Sequence, residues 1–299
     1  MRALRGAALL ASLVLSMPGV HAAAAQRGFE VLHYDAQIEP DLRAGRVAGH
    51  ERIALRAASG VDEVAFDAGS LDVDAVEVDG LPVTFTKSGP RLQITLPVHA
   101  AGVRQMLDIR YRAAPMFGLQ FARELEQAYT VFSTSEWMVV LDDPSVRATL
   151  DLSVVVPTGW TVAGHGAATR TPLDDGRERV AWKQSVPVPS FVYGFAIGRF
   201  QEAQEVRDGV VLRELSTQRS PDELRTIFRR TGDMLAFMGQ VSGIPYRGRY
   251  EQALVARTVG QEAAGFALLS EGFGERVLRG EGSDALSRTK PRTSGGACS

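Results

Sequence analysis

Glu262 is the acid in this sequence that is best placed to bind a cation. It lies in the segment GQEAAG, residues 260–265, where small residues separate two apolar stretches and no basic residue is present. Gly260 and Gly265 add no side chains, so a ligand's ammonium group could approach the carboxylate close to the backbone. A solvated loop acid is the alternative, because glutamate is most often exposed. Residue chemistry alone leaves both interpretations open.

Other reactive side chains form no complete catalytic site. The histidines show no pair at helical spacing that would favour a metal site; they are His21, His33, His50, His99 and His165. Asp142 and Asp143 precede Pro144, and consecutive side chains of an extended chain point in opposite directions, so we predict that Asp142 or Asp143 caps a turn rather than that the two form an acid–base or calcium-binding pair. The sequence contains neither a G-x-S-x-G nucleophile motif nor a glycine-rich phosphate loop.

Length and charge restrict the class of protein. The chain has 299 residues and a formal charge of −2, with a sequence pI near 6.2. This length suits one large or two ordinary domains. The arginines are scattered and no bulk positive field exists, so a nucleic-acid partner is not expected.

Residues 1–25 have the pattern of a secretory signal peptide. Arg2 and Arg5 precede an apolar run from Ala7 to Val14, and small residues follow up to Ala25. The run is too short for a permanent membrane span and no second such run follows. We therefore predict an exported protein, periplasmic or secreted, without a membrane anchor after cleavage. Its only cysteine is Cys298, so the fold must depend on its core rather than on disulfides.

Residues 26–203 are predicted to form a mainly β domain. Leu32, Tyr34, Ala36 and Ile38 alternate with polar residues, as in a strand with one buried face. Similar segments recur, and turn residues such as Asp79-Gly80 separate them. The spacing favours a large antiparallel sheet or sandwich.

The pattern changes after a boundary that we place near Gln204. Ser220-Pro221-Asp222-Glu223 is a capping box, and apolar residues then recur at three and four positions up to Met238, which predicts one helix of about five or six turns. Residues 204–279 therefore begin a second domain. Residues 280–299 are rich in Gly, Ser and Arg and are predicted to be disordered.

Several segments taken together resemble the zinc aminopeptidases of the aminopeptidase N type. The matching segments are HYD (33–35), EP (39–40), LDDPSVRATL (141–150), VPTGW (156–160), PVPSF (187–191) and GFAIGRF (194–200). The resemblance covers roughly residues 30 to 271 and extends to GIPY (243–246) and Tyr250. It implies a large β saddle domain followed by a thermolysin-like α/β catalytic domain, of which this chain holds a truncated start.

The resemblance gives Glu262 a specific role. The family carries a G-x-M-E-N motif whose acid holds the free α-amine of a peptide substrate, and Gly260-Gln261-Glu262-Ala263-Ala264 occupies the corresponding place. Glu262 matches the acid, while Gln261 replaces Met and Ala263 replaces Asn. The resemblance thus implies that Glu262, with Gly260 and Gly265, binds the N-terminus of a peptide. Val131 occupies the place of a glutamine that lines the family's specificity pocket.

The zinc motif of the family is missing from the sequence. An H-E-x-x-H helix should follow Glu271, yet no histidine follows His165. Zinc is expected for the full-length family, whereas we predict no metal site and no catalytic residue in this chain. Our interpretation is an N-terminal portion of an exported, zinc metallo-aminopeptidase-like protein, cut or frame-shifted early in its catalytic domain and inactive by itself.

Two alternatives remain open. One is a non-enzymatic exported β domain that binds peptides or a protein partner through its saddle surface. The other is a fragment without function, whose helix after Ser220 would leave its apolar stripe uncovered and so promote aggregation or proteolysis.

Overall fold

The described part of the chain comprises residues 27–98, 100–257 and 260–281 of a computed structural model. The predicted signal peptide, Cys298 and all but the first two residues of the predicted disordered tail (280–299) lie outside these residues.

Strands dominate the described chain. In chain order they are β1 (Phe29–Asp41), β2 (Arg46–Ala57), β3 (Glu63–Asp67), β4 (Asp72–Val78), β5 (Leu81–Pro82), β6 (Phe85–Ser88), β7 (Arg91–Thr95), β8 (Arg104–Ala113), β9 (Leu119–Ala122), β10 (Gln127–Thr130), β11 (Ala148–Pro157), β12 (Thr161–Ala163), β13 (Thr169–Pro172), β14 (Arg177–Val188), β15 (Ala196–Gly198), β16 (Gln201–Arg207), β17 (Val210–Ser216), β18 (Gly248–Val255), β19 (Gly260–Ala263) and β20 (Phe266–Ser270). The helices are α1 (Pro221–Phe228), α2 (Thr231–Ser242) and α3 (Glu271–Leu278).

A sheet of eight strands, here called the large sheet, has the order β13-β14-β11-β1-β2-β8-β4-β5. Tyr34, Ala36 and Ile38 of β1 are buried, while Asp35 and Gln37 lie on the opposite, solvent-facing side, as the alternation predicts. The mainly β prediction is confirmed. One ladder differs from the antiparallel pattern, because β1 pairs in parallel with β11.

The buried face of the large sheet packs against two smaller sheets. These have the orders β3-β7-β6 and β12-β15-β10-β9. One continuous core joins them, and its largest fully buried side chains include Trp137, Tyr34, Tyr111 and Phe66. Burial of this much apolar surface is the main source of stability for the domain.

A sheet of five strands, with the order β16-β17-β18-β20-β19, follows in the chain. Alternation along β18 gives it two buried faces: Ala253 and Val255 pack toward the four-stranded sheet, and Leu254 packs toward the helices. The boundary predicted near Gln204 falls inside β16, the first strand of this sheet.

The single helix predicted after Ser220 is wrong, since two helices, α1 and α2, are found instead. The capping box is present, with the Ser220 side chain accepting from the Glu223 N–H and Glu223 accepting from the Ser220 N–H. The break follows Phe228, and the next helix begins at Thr231, whose hydroxyl donates to Gln252 Oε1 of β18 at 2.6 Å. Thr231 and Gly232 are buried against the sheet there, which redirects the chain.

The apolar stripe is correspondingly split. Leu224, Ile227 and Phe228 of α1 are buried, whereas α2 exposes Met234, Phe237, Met238 and Val241. No helix within residues 27–98, 100–257 and 260–281 is long and apolar enough to cross a membrane.

Candidate functional site

The edge strand β19 carries Glu262. β19 pairs with β20 in antiparallel register, Glu262 opposite Ala267, and no strand pairs with its other edge among the described residues. Glu262 lies in a strand rather than in a loop, because the turn is confined to Ala264 and Gly265. An edge strand presents unpaired N–H and C=O groups, which can pair with an extended peptide.

The carboxylate of Glu262 is exposed. No hydrogen bond or ion pair to it occurs within the described part of the chain. Its neighbour Gln261 points to the opposite face, is buried, and accepts the Phe132 N–H at 2.7 Å through Oε1. Gln261 therefore fixes the strand, and alternation leaves Glu262 available to a ligand.

Two tyrosine rings lie on the Glu262 side of the sheet. Tyr250 and Tyr246 are in edge-to-face contact, with ring centroids 5.7 Å apart. Burial, followed by repulsion from Glu262, raises the pKa of Tyr250 to about 12. Tyr250 is thus a neutral ring near an exposed carboxylate, and an acid beside aromatic rings suits a cationic ligand.

Gly260 and Gly265 have different environments. A Cβ at Gly260 would meet nothing within 4 Å, so the chain is open there. Gly265 has φ +81°, and a Cβ there would lie 2.8 Å from His165 Nδ1. Glycine therefore suits position 265 because of the positive φ of the turn and the close approach of His165.

His165 holds this turn from outside. Its Nδ1–H donates to the Ala264 carbonyl oxygen at 2.5 Å, and the Ala264 N–H donates to the Val192 carbonyl at 3.0 Å. Sequence reasoning gave no role to His165 or to Gln261. No local signal indicates either contact, since His165 is 99 positions from Ala264 and Gln261 is 129 from Phe132.

Val131 lies near β19, as its place in the resemblance implies. It is half-buried, packs against the cluster that includes Phe266 and Leu268, and precedes Phe132, which is bonded to Gln261. An apolar side chain there offers contact area but no hydrogen bond to a ligand.

Asp143 caps a turn, as predicted. Its Oδ1 accepts from the Ser145 N–H and hydroxyl at 2.8 and 2.7 Å, and its Oδ2 pairs with Arg27 at 2.6 Å. Bonds from Ser145 and Arg27 lower the pKa of Asp143 to about 2. Burial and nearby Asp67 raise the pKa of Asp142. The two carboxylates therefore have separate environments and do not form a catalytic pair.

The side chains of the described residues do not fit a zinc ion. Across the described ranges no three His, Cys, Asp or Glu side chains converge as a metal site would require. The acid–aromatic arrangement at β19 suits a cationic ligand but offers no set of zinc ligands.

Structure comparisons show the same fold in M1 zinc metallopeptidases. The M1 zinc metallopeptidase of Deinococcus radiodurans is 23% identical, with a TM-score of 0.71 over 84% of this chain and 63% of that chain. A mutant of an M1 enzyme from the same organism, bound to a Tyr-Ser-Ala substrate, is 24% identical, with a TM-score of 0.72 over 85% of this chain and 63% of that chain. A two-domain M1 zinc metallopeptidase mutant bound to L-arginine is 22% identical, with a TM-score of 0.71 over 86% of this chain and 65% of that chain. This chain thus spans less than two thirds of the length of these structures.

A family model gives the assignment. Residues 30–192, more than half of the 299 residues, match the Peptidase M1 N-terminal domain. The match covers the large sheet from residue 30 onward, the three-stranded sheet, and all of the four-stranded sheet except β15. The chain therefore belongs to the Peptidase M1 N-terminal domain family.

Proposed function

We propose that this chain is the N-terminal part of an exported zinc metallo-aminopeptidase-like protein, and that it supplies the strand that holds a peptide's free α-amine. The observation that carries the proposal is Glu262, an exposed carboxylate without a partner among the described residues, on the free edge of β19. Tyr250 beside it provides a neutral aromatic surface.

The chemistry of recognition is charge-assisted. A peptide ammonium donates up to three hydrogen bonds, and a carboxylate is its best acceptor. The peptide backbone can pair with the unpaired edge of β19, which orients the chain leading away from the amine. Relatives of the same fold bind Tyr-Ser-Ala and L-arginine, which supports amino acids and peptides as the ligand class.

Hydrolysis needs groups that this sequence does not contain. Zinc in the family would supply a Lewis acid and an activated water, but the H-E-x-x-H motif is absent from the sequence. We therefore expect neither bound zinc nor aminopeptidase activity in the purified chain. Metal analysis combined with an aminopeptidase assay checks this, and activity that a chelator removes would contradict it.

The proposed organisation follows the sequence: an export signal in residues 1–25, a β domain in 26–203, an incomplete catalytic domain in 204–279 and a tail in 280–299. Export to the periplasm or the medium is part of the proposal. Detection of the mature chain, processed near Gln26, outside the cytoplasm would support it.

Glu262→Gln provides the direct test of amine recognition. Titration of the full chain with Tyr-Ser-Ala should show binding that weakens about tenfold or more in Glu262→Gln, because a charge-assisted bond contributes roughly 1.5–3 kcal/mol. Glu205→Gln is the matched control, since Glu205 is exposed on β16 at the opposite edge of the same sheet. N-acetylation of the peptide should weaken binding as much as Glu262→Gln does. Equal affinity for the acetylated peptide would refute the role of Glu262.

The second candidate is a binding domain without catalysis that uses the solvent face of the large sheet. Two cavities favour it. One has a volume of about 950 Å³, and its lining includes Glu39, Ala48 and Arg112. The other has a volume of about 630 Å³, and its lining includes Gln37, His50 and Arg179. This function predicts a peptide affinity that persists with a chelator and is insensitive to Glu262→Gln.

A further inference from the structure

A cavity of about 630 Å³, here called the saddle pocket, lies on the solvent face of the large sheet. Strands β1, β2, β11 and β14 form its floor, and the segment 165–167 forms part of its wall. Register explains the floor: Asp35 of β1 pairs with Asp151 of β11 and with Arg52 of β2, and Lys183 of β14 pairs with Asp151. These four charged residues form one row across four strands.

Both carboxylates in that row are already paired. Asp35 is in contact with Arg52, and Asp151 accepts from Lys183 Nζ at 2.6 Å. These contacts raise the pKa values of Arg52 and Lys183, so both remain cations. Two ion pairs therefore contribute no net charge to the pocket.

Arg179 supplies the remaining charge. It lies on β14, two residues before Ala181 and opposite Val155 of β11. Its side chain forms no ion pair or hydrogen bond with any described residue. Its Nε is buried and has no acceptor. A buried N–H without an acceptor costs about 1–3 kcal/mol, and more when the group is charged. Such a group indicates a partner that completes it.

The protein cannot readily provide that partner. Glu39 follows Ile38, which pairs with Val154 of β11; its Oε1 accepts from Gln37 at 2.7 Å and its Oε2 accepts from Arg177 at 2.9 Å. Glu178, the adjacent residue of β14, points to the other face and pairs with Arg170. Arg179 therefore faces a cavity large enough for a ligand and has no acid of its own.

We propose that the saddle pocket is a binding site for the carboxylate group of a ligand, with Arg179 as its anchor. A guanidinium fork accepts a planar carboxylate through two parallel N–H bonds. The single negative charge of a carboxylate matches the single net positive charge of the pocket. A phosphate dianion would carry one negative charge more than the pocket balances, next to Asp35 and Asp151. Thr169 also lines the cavity, so a hydroxyl is available to the rest of the ligand.

The lining of the pocket includes no residue of β19, so the pocket and Glu262 can be tested with different probes. The probe is acetyl-Ala-Ala-Ala, which has a free carboxylate but no free amine for Glu262 to hold. Its C-terminal amide is the matched negative probe. Succinate is the free organic acid, and inorganic phosphate tests anions in general. Affinity is measured by calorimetry on the full chain, and the Nε–H signal of Arg179 is followed by NMR.

The expected result is binding of the peptide acid but not of its amide, with a downfield shift of the Arg179 Nε–H signal. Arg179→Met should weaken binding by about tenfold or more, and Arg179→Lys by less, because Lys keeps the charge but loses the fork. Arg110→Met is the control, since Arg110 is exposed on β8 on the same face and lies outside the pocket. It should leave the affinity unchanged.

The other outcomes are equally decisive. Binding of succinate with the Arg179 shift, without binding of the peptide acid, supports a carboxylate site whose source is a free organic acid. Equal binding of peptide acid and amide overturns the proposal, as does a shift caused by phosphate alone. If Arg179→Met does not fold, the shift of the Arg179 Nε–H signal in the unmutated chain still tests the proposal.

Discussion

Glu214 of β17 is an acid inside the five-stranded sheet. It is 4% exposed, and burial, followed by repulsion from Glu205, raises its pKa from 4.5 to about 7. The folded chain therefore keeps a proton that the unfolded chain releases between these values. The contribution of Glu214 to stability is fully present below pH 4.5 and is lost as pH rises through about 7.

Glu214→Gln should remove this pH dependence. We expect the variant to exceed the unmutated chain in free energy of unfolding at about pH 8 by up to about 3 kcal/mol, since each unit of pKa corresponds to about 1.4 kcal/mol. At about pH 4 the two should be nearly equal. Denaturant titrations at both pH values measure the difference, and a larger gain at the lower pH would contradict the argument.

Residue-level prediction from sequence succeeded where the interaction is local. Asp143 caps its turn because the bonded groups of Ser145 are two positions away. Glu262 could be singled out from its small neighbours, but its strand position depends on pairing with β20, and its Tyr250 neighbour depends on the order of strands in the sheet. His165 could not be identified, because its contact with Ala264 joins distant segments. Arg179 could not be identified either, because only the folded chain shows that its buried Nε has no acceptor among the described residues.

At the scale of elements, α1 depends on its first turn. Ser220 Oγ accepts the Glu223 N–H at 3.3 Å, and Glu223 Oε2 accepts the Ser220 N–H at 2.8 Å. Ser220→Ala should lower the free energy of unfolding by about 1 kcal/mol, because one N–H at the helix start loses its acceptor. Chemical denaturation measures the change.

Thr226→Ala is the control for the cap. The Thr226 hydroxyl donates to the Asp222 carbonyl within the same helix, but it satisfies no N–H at the helix start. Alanine is also the better helix former, so we expect no loss of stability. A loss equal to that of Ser220→Ala would indicate a general sensitivity of α1 rather than a capping effect.

The break between α1 and α2 shows where the periodic pattern misleads. Apolar residues continue at helical spacing through Met238, which favours one helix, but the chain turns where Thr231 bonds to Gln252. Tertiary contact with β18 thus overrides the local pattern, and the pattern alone carries no information about that contact. The start of the helix was predictable since its capping box lies within four consecutive residues.

At the scale of the whole molecule, Glu251 joins two sheets. It is 2% exposed and accepts from Arg213 at 3.1 Å, from Arg249 at 3.3 Å and from the Gly164 N–H at 3.1 Å. Gly164 follows β12 of the four-stranded sheet, whereas Glu251 is in β18. Glu251→Ala should cost about 3 kcal/mol, because Arg213 would keep only its more exposed partner Glu202 and the buried Gly164 N–H would lose its acceptor.

Glu202→Gln serves as the control for this junction. Glu202 pairs with the same Arg213 at 2.8 Å but is 38% exposed, so solvent screens the pair. We expect a loss of about 1 kcal/mol or less. Both variants are compared by denaturation, and similar losses would show that the position of Glu251 between the sheets is unimportant.

The parallel ladder between β1 and β11 has a consequence for folding kinetics. It joins strands whose paired residues, such as His33 and Thr149, are 116 positions apart, and β1 lies between β11 and β2 inside the large sheet. Closing so long a loop is slow, because its entropy is lost before the contacts form. Until β11 is added, one edge of β1 stays open, so this strand is the place where chains emerging from denaturant would associate with one another.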